Sequence, residues 1–147
     1  MAGETIGAFG TFATVQAADS MATGEFSTGS TTDIDAALTT GSESLYPLLD
    51  FRLTLSSGTP TDGATMAVYR IPKAGDGTAS PTPDDTSVYK AQYVGSFVMH
   101  DTASSVYYLF GVENCDPYAS YILENLDGTA TLTGALAARG RGFDTVA

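Results

Sequence analysis

A chain of 147 residues with a formal net charge of −11 fits one domain, which can bury about two thirds of the surface that its unfolded form exposes. Because 17 acidic side chains face only 6 basic ones, a nucleic-acid backbone is an unfavourable partner, and we expect no nucleic-acid binding. Charged residues make up 16% of the chain, while threonine, tyrosine and phenylalanine recur, which favours strands over helices.

Residues 1–44 alternate short apolar residues with threonine, glycine and serine. One strand is predicted at residues 9–17, and the rest is predicted to be an extended arm that orders on its own domain or on a neighbouring subunit. The first residues lack a basic region followed by an apolar one, and no apolar run reaches membrane-spanning length. We therefore expect no membrane partner and synthesis in a cytoplasm.

Residues 50–56, DFRLTLS, alternate strictly between polar and apolar side chains. Phe51, Leu53 and Leu55 fall on one face of a half-buried strand, and the polar residues fall on the other. A turn rich in glycine, proline and aspartate follows, and then a return strand that ends at Pro72. The two strands predict a hairpin.

Four further strands are predicted after the next polar loop, at intervals of about 12 residues. Six or seven short strands with this spacing predict an all-β fold, a jelly-roll-like β-sandwich with an extended N-terminal arm. The predicted organisation is an arm at residues 1–44, a sandwich at 45–135 and a tail at 136–147.

Side chains that carry catalysis are sparse in this chain. His100 is the only histidine and Cys115 the only cysteine, which falls short of the three or four ligands of a zinc site. We expect His100 to lie on the surface and Cys115 to be reduced and semi-buried. No catalytic, cofactor-binding or metal site is predicted. An enzyme is the weakest interpretation, since it would need His100 or a pair of acids in a pocket.

The loop at residues 75–85 brings Asp76, Asp84 and Asp85 into one segment. Calcium prefers carboxylate oxygens on such loops, but the glutamate that ends an EF-hand loop is missing. A solvated loop is the main interpretation, and a cation site is the alternative.

Tyrosines crowd the later strands, and the adjacent Tyr107 and Tyr108 must face opposite sides of a strand. One of the two is therefore expected to be exposed or at an interface. Tyrosine buries a large area at low entropic cost, which suits contacts between subunits and stacking on sugars. Since the chain has no tryptophan, subunit contact is favoured over carbohydrate binding.

The two ends of the chain differ in charge. Residues 1–51 contain acidic side chains and no basic one, whereas Arg139 and Arg141 lie near the other end. These regions are expected to meet across a subunit boundary.

A resemblance to small structural proteins of tailed-bacteriophage virions is carried by four segments: LYPLLDFRLTL, ATMAVYRIPKAGDGT, YVGSFVMHD and DPYASYILENLDGT. The resemblance covers about residues 45–130 and is to capsid decoration or cement proteins. It implies a β-sandwich that rests on the shell of the major capsid protein, with arms that clamp neighbouring subunits. It implies no catalytic residue and no cofactor.

The resulting hypothesis is a capsid decoration or cement protein at the virion surface, which binds the major capsid protein and copies of itself. A homo-oligomer is expected, with a trimer preferred and a dimer as the alternative. The alternative function is a phage tail or fibre component, either a tail-tube or terminator protein or a receptor-binding module that binds a carbohydrate. The expected interface residues lie in the arm and the tail: Phe9, Phe12, Phe26, Arg139, Arg141 and Phe143. Packing on their own domain is the alternative for the phenylalanines, and a solvated tail is the alternative for the arginines.

Overall fold

A computed structural model describes residues 4–38, 47–72, 91–116 and 118–145, with the backbone alone at 4–9 and 143–145. The strands and the helix of these residues are β1 (Glu4–Phe9), β2 (Ala13–Met21), α1 (Ile34–Ala37), β3 (Leu48–Ser57), β4 (Thr65–Ile71), β5 (Gln92–Val98), β6 (Val106–Glu113), β7 (Ser120–Asn125) and β8 (Leu132–Thr145). This part of the chain contains no helix with the length and hydropathy of a membrane span.

Two antiparallel sheets face each other and form a β-sandwich. The larger sheet has the strand order β1-β8-β3-β6, and β2 pairs with β8 alongside β1. The smaller sheet has the order β5-β4-β7. The all-β class and the sandwich predicted from strand spacing are therefore confirmed.

The core lies between the two sheets and confirms the alternation predicted for β3. Phe51, Leu53 and Leu55 are 0–1% exposed, and the Phe51 ring lies 4.8 Å from the ring of Tyr121 on β7. Burial of each such side chain stabilises the fold by about 1.5–3 kcal/mol. The inward face of β3 thus packs across the sandwich on the smaller sheet.

The predicted hairpin of β3 and β4 is wrong. β3 pairs with β6 and β8 in the larger sheet, whereas β4 pairs with β5 and β7 in the smaller one. Each of the two strands buries one of its faces. This alternation is compatible with two neighbouring strands of one sheet and equally with two strands that face each other across the core. The connection at residues 58–64 therefore crosses from one sheet to the other.

The structure also differs from the predicted tail at 136–147. Strand β8 (Leu132–Thr145) lies between β3 and the β1 and β2 edge, so that residues 136–145 are central in the larger sheet. Its small residues allow this position, since a Cβ atom at Gly134 would already lie 3.1 Å from side-chain atoms of Leu53 and Leu55.

The described part of the predicted arm lies on its own domain. The predicted strand at 9–17 is observed at Ala13–Met21, and β1 precedes it. After β2, residues 22–32 run along both sheets: the N–H of Ser27 donates to the carbonyl of Leu123 on β7, and the N–H of Thr32 donates to that of Val15 on β2. This segment, here called the strap, covers one open side of the sandwich.

Candidate interaction surface

The outer face of the larger sheet is built around the buried carboxylate of Asp50. Its Oδ2 accepts from Nε of Arg139 at 2.9 Å and from Nε of Arg141 at 3.2 Å, while its Oδ1 accepts from the N–H of Gly111 at 3.1 Å. The Asp50 side chain is 0% exposed. A buried carboxylate is tolerated only when its charge and lone pairs are satisfied, and these three donors from β6 and β8 satisfy it.

Local backbone geometry explains the contribution of Gly111. The pairing of β3 with β6 shifts between Leu49 and Phe51, which marks a bulge in β6. Gly111 adopts φ 71°, a left-handed conformation that glycine reaches without steric cost. The bulge aims the N–H of Gly111 at the carboxylate.

Aromatic rings hold the arginine side chains of this face. The ring centroid of Phe12 lies 4.8 Å from Cζ of Arg52 and 4.7 Å from Cζ of Arg139. The Tyr108 ring is stacked on that of Phe110 with centroids 5.7 Å apart, and Cζ of Arg141 lies 5.4 Å from the Phe110 centroid. We call the set the arginine–aromatic face; it comprises Phe12, Arg52, Tyr108, Phe110, Arg139 and Arg141.

This face concentrates positive charge on an acidic protein. Three of the 6 basic side chains of the whole chain lie in it, beside one buried carboxylate. The side chains of Arg139 and Arg141 are 23% and 26% exposed, and those of Tyr108 and Phe110 about half exposed. Since Asp50 and the rings already fix the guanidinium groups, a partner binds them at little further entropic cost. Arginine and aromatic residues are enriched in protein interfaces.

Three of the residues predicted as interface residues converge here, namely Phe12, Arg139 and Arg141. Phe26 lies elsewhere, with its ring 5.3 Å from that of Tyr69 on the smaller sheet. The backbones of Phe9 and Phe143 pair in β1 and β8, and their side chains lie outside the described residues. The sequence thus predicted about half of the residues of the arginine–aromatic face.

Asp50, Arg52 and Phe110 were missed, although one signal pointed to Asp50. The acidic first third of the chain and the distant arginines were expected to meet across a subunit boundary. Instead, Asp50 meets Arg139 and Arg141 within one chain, so both arginines lie on the sheet and not on a solvated tail. The prediction for the tyrosine pair is confirmed, since Tyr108 is 51% exposed and Tyr107 is partly buried.

The residues singled out for chemistry lie apart from this face. The His100 side chain is 71% exposed, which confirms a surface histidine, and its Nδ1 lies 3.3 Å from Oδ1 of Asp62. Cys115 is exposed, which corrects the semi-buried prediction: it lies in the turn after β6, outside the core. Among the described residues, no three histidine, cysteine, aspartate or glutamate side chains are grouped to hold a metal ion, and the loop at 75–85 lies outside those residues.

A groove of about 430 Å³ opens between the edge strands β5 and β6. Val94 and Leu109 contribute apolar surface, and Tyr93, 62% exposed, contributes a ring. Arg70 and Glu113 contribute charges of opposite sign. The groove offers an aromatic ring and polar groups within one concave surface.

Comparison with protein-family models gives no match, and comparison with curated proteins gives none either.

Proposed function

We propose that this protein is a structural protein of a tailed-bacteriophage virion, a capsid decoration or cement protein that binds the shell of the major capsid protein and stabilises it. The observation that carries the proposal is the preorganised arginine–aromatic face on the larger sheet. The resemblance of residues 45–130 to such proteins supports the same assignment.

The chemistry of the face specifies the kind of surface that it fits. Its guanidinium groups match carboxylates, while the stacked rings of Tyr108 and Phe110 match apolar side chains. The complementary site is therefore an acidic patch with apolar groups on the outside of the shell. A net charge of −11 repels this protein from other acidic surfaces, so the positive face also sets its orientation as it approaches.

A shell offers many identical binding sites. Many copies that each bind with moderate affinity can therefore stabilise the whole shell. Each bound copy stabilises the assembled shell by mass action, and contacts that span two capsid subunits add avidity. No chemical step is needed for this role.

Co-sedimentation with expanded capsids that lack the protein tests the proposal. We expect saturable binding in a whole-number ratio to capsid subunits, and a higher disruption temperature of the decorated shells. Arg52→Gln should weaken shell binding by about tenfold or more, because it removes one guanidinium from the face. Arg70→Gln removes the same charge from the smaller sheet and should bind like the unchanged protein. Absence of binding to shells would overturn the proposal.

A receptor-binding module of a tail or fibre is the second candidate, and the groove between β5 and β6 favours it. An exposed ring beside groups that form hydrogen bonds suits a saccharide. Tyr93→Ala should abolish binding in a glycan screen if this candidate is correct, while Tyr118→Ala, a change at a similarly exposed tyrosine outside the groove, should leave it unchanged. Glycan binding that survives Tyr93→Ala would exclude the groove as the site.

A further inference from the structure

Strand β6 is an edge strand of the larger sheet. Among the described residues it pairs with β3 alone, so one side of its backbone has no strand partner. On the opposite side of the sandwich, the strap runs along β2 and β7 and covers their edges. The chain thus protects one side of the sandwich with its own residues, and β6 lies on the other side.

The first five residues of β6 lack the charges and prolines that normally protect an edge. Residues 106–110, VYYLF, contain no charged residue and no proline. Val106, Tyr108 and Phe110 alternate along the strand and are 45%, 51% and 55% exposed. Natural edge strands usually carry lysine, proline or inward-pointing charges that prevent pairing with another chain. An uncharged, apolar edge of this kind indicates that another strand covers it in the assembled protein.

The order of these residues makes the strand complementary to itself. In an antiparallel pair with Tyr108 on a twofold axis, Tyr108 faces its own copy and Val106 faces Phe110 of the second copy. All three contacts are apolar, and no charge faces a charge. An interface about a twofold axis requires this kind of self-complementary patch.

We propose that β6 pairs with β6 of a second copy of this chain about a twofold axis, which joins two five-stranded sheets into one continuous sheet. The bulge at Gly111 limits this pairing to residues 106–110, because it interrupts the regular alternation of β6 before the strand resumes at Val112. This interface is argued from β6 alone and does not require the proposed capsid function, although it shares Tyr108 and Phe110 with the arginine–aromatic face. It favours the dimer over the trimer expected from the sequence.

Electrostatic repulsion between the two copies is weak in this arrangement. Arg52 pairs with Tyr108 one strand inward, so three strand spacings, about 14 Å, separate the two copies of Arg52. That distance exceeds the screening length of about 8 Å at physiological ionic strength. The arginine–aromatic faces of the two copies then lie on the same side of one sheet, where a partner with paired sites contacts both.

Sedimentation of the purified protein from about 1 µM to about 100 µM tests the interface, because small interfaces form weak complexes. We expect a monomer–dimer equilibrium. Val106→Lys should raise the dissociation constant by about tenfold or more, since lysine on an edge opposes pairing. Leu126→Lys alters a residue of similar exposure after β7 and should leave the constant unchanged. Arg52 lies on β3 and outside the paired edge, so Arg52→Gln should weaken shell binding and leave the dimer intact, which distinguishes failure of the capsid proposal from failure of the dimer.

Amide hydrogen exchange of the unchanged protein provides a second measurement that needs no variant. Exchange within residues 106–110 should slow as the concentration rises, while exchange in β5, the other edge strand on that side, should not. A monomer over the whole range, a trimer, or a dimer that Val106→Lys leaves intact would overturn the proposal. If Val106→Lys does not fold, concentration-independent exchange in β6 would overturn it instead.

Discussion

The carboxylate of Asp50 lies 2.9 Å from Nε of Arg139, although 89 residues separate them in the chain. The two residues are direct neighbours on β3 and β8, and Arg141 joins the same carboxylate two residues later. This contact orients both guanidinium groups toward the rings of the arginine–aromatic face. Asp50 is therefore a structural residue on which the proposed interface depends.

Asp50→Ala should lower the free energy of unfolding by about 2–3 kcal/mol, measured by urea denaturation. Removing one partner from a fully buried pair costs about 3–5 kcal/mol, and the loss is smaller here because both guanidinium groups reach solvent. Asp62→Asn, which changes an exposed carboxylate beside exposed His100, should change stability by less than about 0.5 kcal/mol. Equal effects of the two variants would contradict the structural role of Asp50.

The buried carboxylate of Asp127 makes the free energy of unfolding depend on pH in the acid range. It is 0% exposed and accepts hydrogen bonds from the N–H groups of Thr61, Thr129 and Ala130 at 2.6–3.0 Å. Burial acts to raise the pKa of Asp127, but these hydrogen bonds outweigh it and hold that pKa well below 3.8.

Because the folded pKa of Asp127 lies below the unfolded one, its contribution is complete above pH 3.8 and is lost as the pH falls through the folded pKa. We expect the urea midpoint to fall as the pH is lowered from about 5 to about 2. Asp127→Asn should lower stability by about 2–3 kcal/mol near neutral pH and flatten this dependence. Asp101→Asn removes one carboxylate at an exposed position and is the control for the change in net charge.

Gly58 permits the connection between the two sheets to pass close to β8. Its φ is 88°, and a Cβ atom there would collide with the carbonyl oxygen of Thr131 and lie 2.9 Å from Cδ2 of Leu132. Gly58→Ala should therefore destabilise the fold by about 3 kcal/mol, from backbone strain and overpacking together. Gly63 has φ 79° and open space around it. Gly63→Ala should therefore lower the free energy of unfolding by only about 1–2 kcal/mol in the same thermal or urea assay.

The hydrogen bond between Tyr69 and Glu124 leads us to expect a loss of stability at alkaline pH. The Tyr69 hydroxyl donates to Oε2 of Glu124 at 2.7 Å, and this hydrogen bond, with burial, raises the pKa of Tyr69 from 10.0 to about 12. A raised folded pKa gives stability that is complete below pH 10 and lost as the pH rises toward 12. Glu124→Gln should shift the late phase of an ultraviolet tyrosine titration to lower pH.

Burial raises the pKa of Tyr121 to about 12 as well, so a late phase should persist in Tyr69→Phe with reduced amplitude. Tyr118→Phe removes an exposed tyrosine and is the control for the loss of one hydroxyl group. An unaltered late phase in both Tyr69→Phe and Glu124→Gln would contradict the assigned hydrogen bond.

Local patterns in the sequence predicted local features of the fold. The alternation of Phe51, Leu53 and Leu55 predicted their buried face, because the side chains of a strand alternate regardless of its partners. Strand pairing depends on residues far apart in the chain, so the sequence did not distinguish a β3–β4 hairpin from a crossing between sheets. The role of Asp50 could not be predicted for the same reason, because its partners Arg139 and Arg141 lie far from it in the chain.

The interface residues were predicted in part for a related reason. Phe12, Arg139 and Arg141 are large or charged side chains in segments with an extended pattern, and this pattern predicts them as interface residues. Their convergence depends on the pairing of β8 with β3, which no short motif encodes. These residues form one face only because the pairing of strands in the larger sheet brings them together.

The position of β8 also constrains how the protein is made. Its register joins Glu4 to Thr145 and Asp50 to Arg139, so the larger sheet cannot close before residues 132–145 have been synthesised. Contacts this distant in sequence make folding slow and leave early strands unpaired on the ribosome. The nascent residues 1–51 carry acidic side chains and no basic ones. Their mutual repulsion opposes association between nascent chains while the early strands have no partner.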